Sequence, residues 1–151
     1  MAERKTLARN RRAFYEYQVE DTLEVGIILQ GTEVKSMRRG KFSFADAYAR
    51  IIQNELWLVG LHITEYTHGN LFNHDPTRRR KLLCHADELD RLRRRVDEKG
   101  FTLVPLEFYL KQGLIKMALG VCKGKKLYDK RESLKAKDQK REMDRELRKG
   151  L

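Results

Sequence analysis

Apolar residues in this chain recur at every second position, in runs too short to build anything but strands. In LEVGIILQ, strict alternation puts Leu23, Val25, Ile27 and Leu29 on one face and Glu24, Gly26, Ile28 and Gln30 on the other. LIKMALGVC does the same with Ile115, Met117, Leu119 and Val121, leaving Lys116, Ala118 and Gly120 to point away. In ELWLVGLHITEY one phase assigns Trp57, Val59, Leu61 and Ile63 to a common face. DAYARIIQ and KLLCH add two more runs; in the latter Leu82 and Cys84 share one face, and Lys81, Leu83 and His85 the other. The chain is therefore mainly β.

Two segments change period. GTEVKSMRRG reads as a short helix, with Thr32 as N-cap, Val34 and Met37 inward, Gly40 as the stop, and Lys35, Arg38 and Arg39 outward. ADELDRLRRRVDEKG reads as a longer helix: Leu89, Leu92 and Val96 form its stripe, acids fill its first turn and Gly100 ends it. FTLVPLEFYL and LIKMALGVC form a hairpin across KQG, with Pro105 at an edge or bulge, and residues 67–80 form a loop. Five to seven short strands with two or three helices predict a small closed barrel of the OB type, whose sheet face binds oligonucleotides. Residues 1–12 are expected to be a flexible basic arm of a body spanning 1–122. Apolar alternation stops near Val121–Lys125, so residues 123–151 form a separate tail.

Charge narrows the partner. The chain carries +11, and its last stretch from Lys123 holds twelve Lys/Arg against six Asp/Glu with few apolar side chains. Such a segment cannot offset the ordering cost of its own backbone, about 1–2 kcal/mol per residue, and takes structure only from a partner. A polyanion fits this balance, nucleic acid ahead of a membrane surface. Charges stand where a secretory signal would have its apolar core. Cys84 and Cys122 lack metal-ligand spacing, so a cytoplasmic protein with reduced thiols is expected.

The strand faces left after core assignment carry Lys116, Glu24, Gly26, Lys81 and an uncovered Leu83. Lysines meet phosphates, small residues admit a close backbone, and a carboxylate accepts hydrogen bonds from base amino groups. Ordinary solvated strand faces are the competing reading. NRRAFYEY and TRRRK interleave Arg with aromatics or stack charge; phosphate binding competes there with a solvated charge run. The arginines of the longer helix more simply balance its acids. His68, His74, Asp75, Cys84 and His85 show no metal or nucleophile spacing, and CKGKKLYD lacks the spacing of a phosphate loop. Neither a catalytic site nor a metal or cofactor is expected.

Four motifs then stand in one order: GIILQGTEVKSMRRGK, HDPTRRRKLLCH, KGFTLVPLEFY and LGVCKGKKLYDKR. Together, from about Asn10 through Arg131, they closely resemble the small protein B family, the transfer-messenger-RNA (SsrA RNA) binding proteins of bacterial trans-translation. The resemblance implies an OB-fold body gripping the tRNA-like domain of that RNA. It implies RNA contacts at Glu24, Leu83 and Lys116, and roles for Asn10, Arg11, Arg12 and Tyr15, where many members carry His in place of Tyr15. Lys35, Arg38 and Lys81 join this candidate set as outward cations.

The resemblance also implies a tail that is unstructured in solution and becomes helical in the vacant messenger channel of a stalled ribosome. Decoding-centre contacts fall by motif on Gly124, Lys125, Lys126, Tyr128, Asp129, Lys130 and Arg131. Farther on, Met143, Leu147 and Leu151 have helical spacing that is marginal alone. Three functions follow in descending order: an RNA adaptor for ribosome rescue, expected to be monomeric alone; a general OB-fold binder of tRNA or ribosomal RNA, or a ribosomal-protein-like structural component; and an RNA-processing enzyme using His74, Asp75 and His85.

Overall fold

The computed structural model describes residues 4–67 and 73–124, and the period-two runs within them are strands. In chain order the elements are β1 (Arg4–Arg9), α1 (Arg11–Glu16), β2 (Tyr17–Ile27), α2 (Gly31–Arg38), β3 (Phe42–Ser43) and β4 (Tyr48–Ile52). There follow β5 (Glu55–Val59), β6 (His62–Ile63), β7 (Arg80–Leu83), α3 (Ala86–Lys99), β8 (Thr102–Lys111) and β9 (Leu114–Gly124). Antiparallel pairing runs β8–β4–β5–β7–β2–β9 and returns from β9 to β8, so the strands close a ring of the OB-like kind. β1 adds to β8 outside that ring, and β3 pairs with β6 separately.

The main core fills the ring: Val25, Leu58, Leu103, Phe108, Met117 and Leu119 are all buried in it. Leu92 of α3 joins them, flanked by half-buried Leu89 and Val96, which is the stripe the helical period places there. Gly100 ends α3 at φ 68°, a left-handed conformation that costs glycine little. Pro105 marks a bulge, as expected: the β8–β9 register shifts between Pro105 and Glu107. The extra residue lets Leu103 and Phe108 face the same core despite their odd separation.

Three expectations need correction. The phase drawn through Trp57 and Val59 is inverted: Leu56 and Leu58 are buried, and the other two are half-buried. Gly60, at φ 86°, breaks the alternation, after which Leu61 and Ile63 do turn inward. Residues 1–12 do not form an arm through their length. Arg4–Arg9 is a strand paired to β8 from Arg4↔Lys111 to Arg9↔Glu107, because that edge of β8 offers a free ladder.

The third correction follows from the second. Ala118 and Gly120 face away from the main core, yet Gly120 is buried and Ala118 half-buried. Ala13 of α1 packs with Val104, Leu106 and Cys122 in a second small core, with Tyr17, Val19 and Ala118 against it. A β-carbon at Gly120 would come within 2.7 Å of Leu106, so this layer has no room for a side chain there. The N-terminal segment thus covers part of the sheet that period two alone leaves open.

Candidate nucleic-acid interface

Cross-strand register, not sequence proximity, assembles the candidate face. Tyr109 lies opposite Lys116, Lys116 opposite Gly26, and Gly26 opposite Leu83, giving one row across β8, β9, β2 and β7. Glu24 lies beside this row, opposite Ala118. Three of the sequence-selected residues, Glu24, Lys116 and Leu83, are therefore neighbours on one outer surface. Leu83 is 50 % exposed and Ile28, just past the end of β2, 46 %. A β-carbon at Gly26 would sit 3.3 Å from that of Leu83, so glycine keeps the backbone bare beside the apolar ledge.

The electrostatics of the face centre on Glu24. Tyr109 Oη donates to Glu24 Oε2 at 2.5 Å, and Lys111 Nζ lies 3.3 Å from both carboxylate oxygens. The tyrosine hydrogen bond, with support from Lys111 and Lys116 against partial desolvation, holds the Glu24 carboxyl below the usual carboxylate range. Lys81 reaches Glu55 Oε1 at 3.3 Å, and the Arg79 guanidinium lies 4.6 Å from the Trp57 ring centroid. Lys35 and Arg39 of the α2 region flank the Tyr66 ring at 5.4 and 5.0 Å, while Arg38 is exposed. Cations, aromatic rings and one fixed carboxylate can together take phosphates, bases and base amino groups.

The N-terminal candidates divide. Asn10 is buried: its Nδ2 donates to Pro105 O at 2.8 Å, and its Oδ1 accepts from Ala13 N at 3.2 Å. It caps α1 and satisfies the carbonyl that the β8 bulge leaves out of the ladder. Arg11 and Arg12 are exposed; Arg12 pairs with Glu16 and Asp46 at 2.9 and 3.4 Å. Tyr15 is half-buried.

The SmpB protein family model matches residues 7–149. This chain belongs to that family. An SsrA-binding protein of Treponema denticola is 55 % identical over 144 residues, 95 % of this chain and 94 % of its own. One from Treponema pallidum is 59 % identical over 141 residues, 93 % and 92 % of the two chains. One from Ruminiclostridium cellulolyticum is 50 % identical over 147 residues, 97 % and 96 %. A solved chain described under "tmRNA-SmpB: a journey to the center of the bacterial ribosome" superposes with a TM-score of 0.67 at 48 % identity, covering 80 % of this chain and 85 % of that one.

In this SmpB-family chain the basic run TRRRK is split by the fold. Arg80 is fully buried: Nε bonds Glu33 Oε2 at 2.5 Å, Nη1 donates to Leu61 O at 2.9 Å and Nη2 to Pro76 O at 3.1 Å. Arg78 Nη2 bonds the other Glu33 oxygen at 2.6 Å, and Gln30 N donates to that same oxygen at 2.7 Å. Burial alone would raise the Glu33 carboxyl, but the bonds from Arg78, Gln30 and Arg80 outweigh it and hold it low. Gln30, not Thr32, is thus the N-cap of α2. Sequence reading missed this cluster because Glu33 looks like any helical acid.

Of the residues weighed for catalysis, His74, Asp75 and His85 have structural work. His74 is buried, its Nδ1 2.9 Å from Thr32 Oγ1 and its Nε2 2.9 Å from Ile63 O. Asp75 Oδ1 accepts from Thr77 N and Oγ1 at 3.0 and 3.2 Å, and His85 precedes α3, its N–H donating to Glu88 at 2.9 Å. Burial pushes the Cys122 thiol up to about 11, which keeps it protonated and inert. Among the described residues no group of three or more His, Cys, Asp or Glu is placed to hold a metal, and no helix is long and apolar enough to cross a membrane. Of the decoding-segment candidates only Gly124 is described, as the end of β9 opposite Tyr17. Lys125, Lys126, Tyr128, Asp129, Lys130, Arg131 and also His68 lie outside the described residues.

Proposed function

We propose that this protein is a non-catalytic adaptor of trans-translation. It binds the tRNA-like domain of transfer-messenger RNA with its sheet face, carries that RNA to stalled ribosomes in the cytoplasm, and offers its basic tail to the decoding centre and empty messenger channel. The observation that carries this reading is the single outer surface shared by Glu24, Gly26, Leu83 and Lys116 in a chain of the SmpB family. Lys116, Lys81 and the arginines supply phosphate contacts, Glu24 accepts from base amino groups, and Leu83 packs against an exposed base or sugar. Since β9 runs to Gly124, two residues past the expected end of the body at 122, the tail begins at Lys125; it folds as it binds, its cations meeting ribosomal RNA phosphates. No cofactor or metal takes part.

The test is equilibrium binding across a salt series to the tRNA-like domain, an ordinary tRNA and a duplex of equal length. A preference for the tRNA-like domain that survives rising salt is expected; affinities that collapse together would leave a general OB-fold RNA binder. A chain ending at Gly124 keeps the whole β9 ladder, which runs to the Tyr17↔Gly124 pair. It should bind the RNA within about twofold of the full chain, yet support no peptide tagging on stalled ribosomes. Full tagging by the shortened chain would remove the tail from the mechanism.

A further inference from the structure

We propose that Tyr109 is a positioning residue for RNA recognition: its hydroxyl fixes one oxygen of Glu24, so that the carboxylate presents its remaining acceptor sites, beside Lys111, to a base amino group. The inference rests on the interface assigned above and deepens it. Tyr109 stands on β8 and Glu24 on β2, with β9 between them. Since Tyr109 faces Lys116 and Glu24 faces Ala118, the phenol spans β9 diagonally between those two positions, where alanine leaves the path clear. The resulting bond to Oε2 is 2.5 Å long.

Tyr109 faces outward yet is only 1 % exposed, because β1 closes over it. Thr6 lies opposite Tyr109 in the β1–β8 ladder, and the Arg4 guanidinium covers the ring at 3.6 Å from its centroid. Arg4 is itself fixed to Glu107 Oε2 at 3.1 Å. A hydrogen bond to an ionised acceptor, made by a donor shielded from water, is strong and directional. An exposed glutamate would otherwise lose rotamer freedom on binding; here that cost is met before the RNA arrives. A carboxylate is an acceptor only, so the acceptor sites that Tyr109 and Lys111 leave exposed favour a base edge carrying an exocyclic amine over one carrying a carbonyl.

The experiment uses full-length protein and the tRNA-like domain of transfer-messenger RNA at fixed salt, with Tyr109→Phe, Glu24→Ala and the double variant. Phenylalanine keeps the ring beneath Arg4 and removes only the hydroxyl. Tyr109→Phe should weaken binding roughly five- to tenfold, and the double variant should bind no more weakly than Glu24→Ala alone. The charged groups facing the pair are Arg4, Glu107, Lys111 and Lys116. None of them replaces the phenol hydrogen bond in the Phe variant, so its Glu24 carboxyl titrates nearer the ordinary value. Its affinity should therefore fall at a higher pH than wild type as the solution is acidified. Wild-type affinity in Tyr109→Phe, or losses that simply add in the double variant, would overturn the positioning role while Glu24→Ala still binds poorly. If Glu24→Ala itself binds as wild type, the assigned face is wrong and this inference goes with it.

Discussion

Two glutamates on the β2–α2 unit are held ionised in opposite ways. Glu33 is wholly buried, and its oxygens are taken by Arg78, Arg80 and the Gln30 N–H. Glu24 is exposed, with Tyr109 and Lys111 on its carboxylate and solvent beyond them. A carboxylate has about four acceptor sites. Glu33 spends three of them inside the protein, fastening α2 to the segment that leads into β7, and its burial keeps the rest from any ligand. Glu24 keeps acceptor capacity at the surface. Pairing with cations is common to both, and what separates structure from recognition is whether the remaining lone pairs reach water.

The sharpest way to break the comparison is to remove the buried charge. Glu33→Gln leaves Arg80 buried without its counter-ion, and should cost about 3–5 kcal/mol of stability in urea unfolding. Glu24→Gln should cost under about 0.5 kcal/mol in the same measurement. Comparable losses would mean that the two carboxylates are not doing different things. Acid should reveal the same asymmetry. Both folded carboxyls titrate below the ordinary glutamate value of about 4.3. Their stabilisation is complete above that value and is lost as pH falls through the lower folded ones. Thermal melts should therefore decline on the acid side of about pH 4.3, and Glu33→Gln should flatten that decline more than Glu24→Gln does.

Recognition should respond in the reverse order. Glu24→Ala and Lys116→Ala are expected to weaken binding to the tRNA-like domain by about 1–3 kcal/mol each. Their melting temperatures should stay close to wild type, since both side chains lie outside the main core. Unchanged affinity in both variants would move the interface elsewhere on the molecule.

Local pattern made much of this architecture legible. Period two fixed the inner face of β9, and the stripe of α3 needed only its own spacing, because those side chains answer to a single neighbouring core. It failed wherever a distant segment intervenes. Gly60 resets the phase after β5 through a backbone angle that no hydropathy pattern records. Gly120 is open by alternation, but Leu106 of the small core beneath α1 closes over it. Arg80 sits inside a basic run, and its burial depends on a counter-ion, Glu33, 47 positions away. The candidate face shows the same limit. Glu24, Leu83 and Lys116 are outward by alternation, but Tyr109 is 85 positions from Glu24 and looked like any strand aromatic.

The smallest expected effect concerns Asn10, which joins the covering segment to the sheet. Family resemblance places it among the RNA contacts, whereas its side chain is buried with both polar ends engaged by Pro105 O and Ala13 N. Asn10→Ala should cost about 1–2 kcal/mol of stability through the lost cap and the stranded carbonyl. Asn10→Asp keeps the acceptor for Ala13 but not the donor for Pro105, and so separates the two contributions. RNA affinity, measured well below the melting temperature, should change by less than about twofold. A large loss of affinity with little loss of stability would reverse that assignment, because a buried anchor acts on binding only through the segment it holds in place.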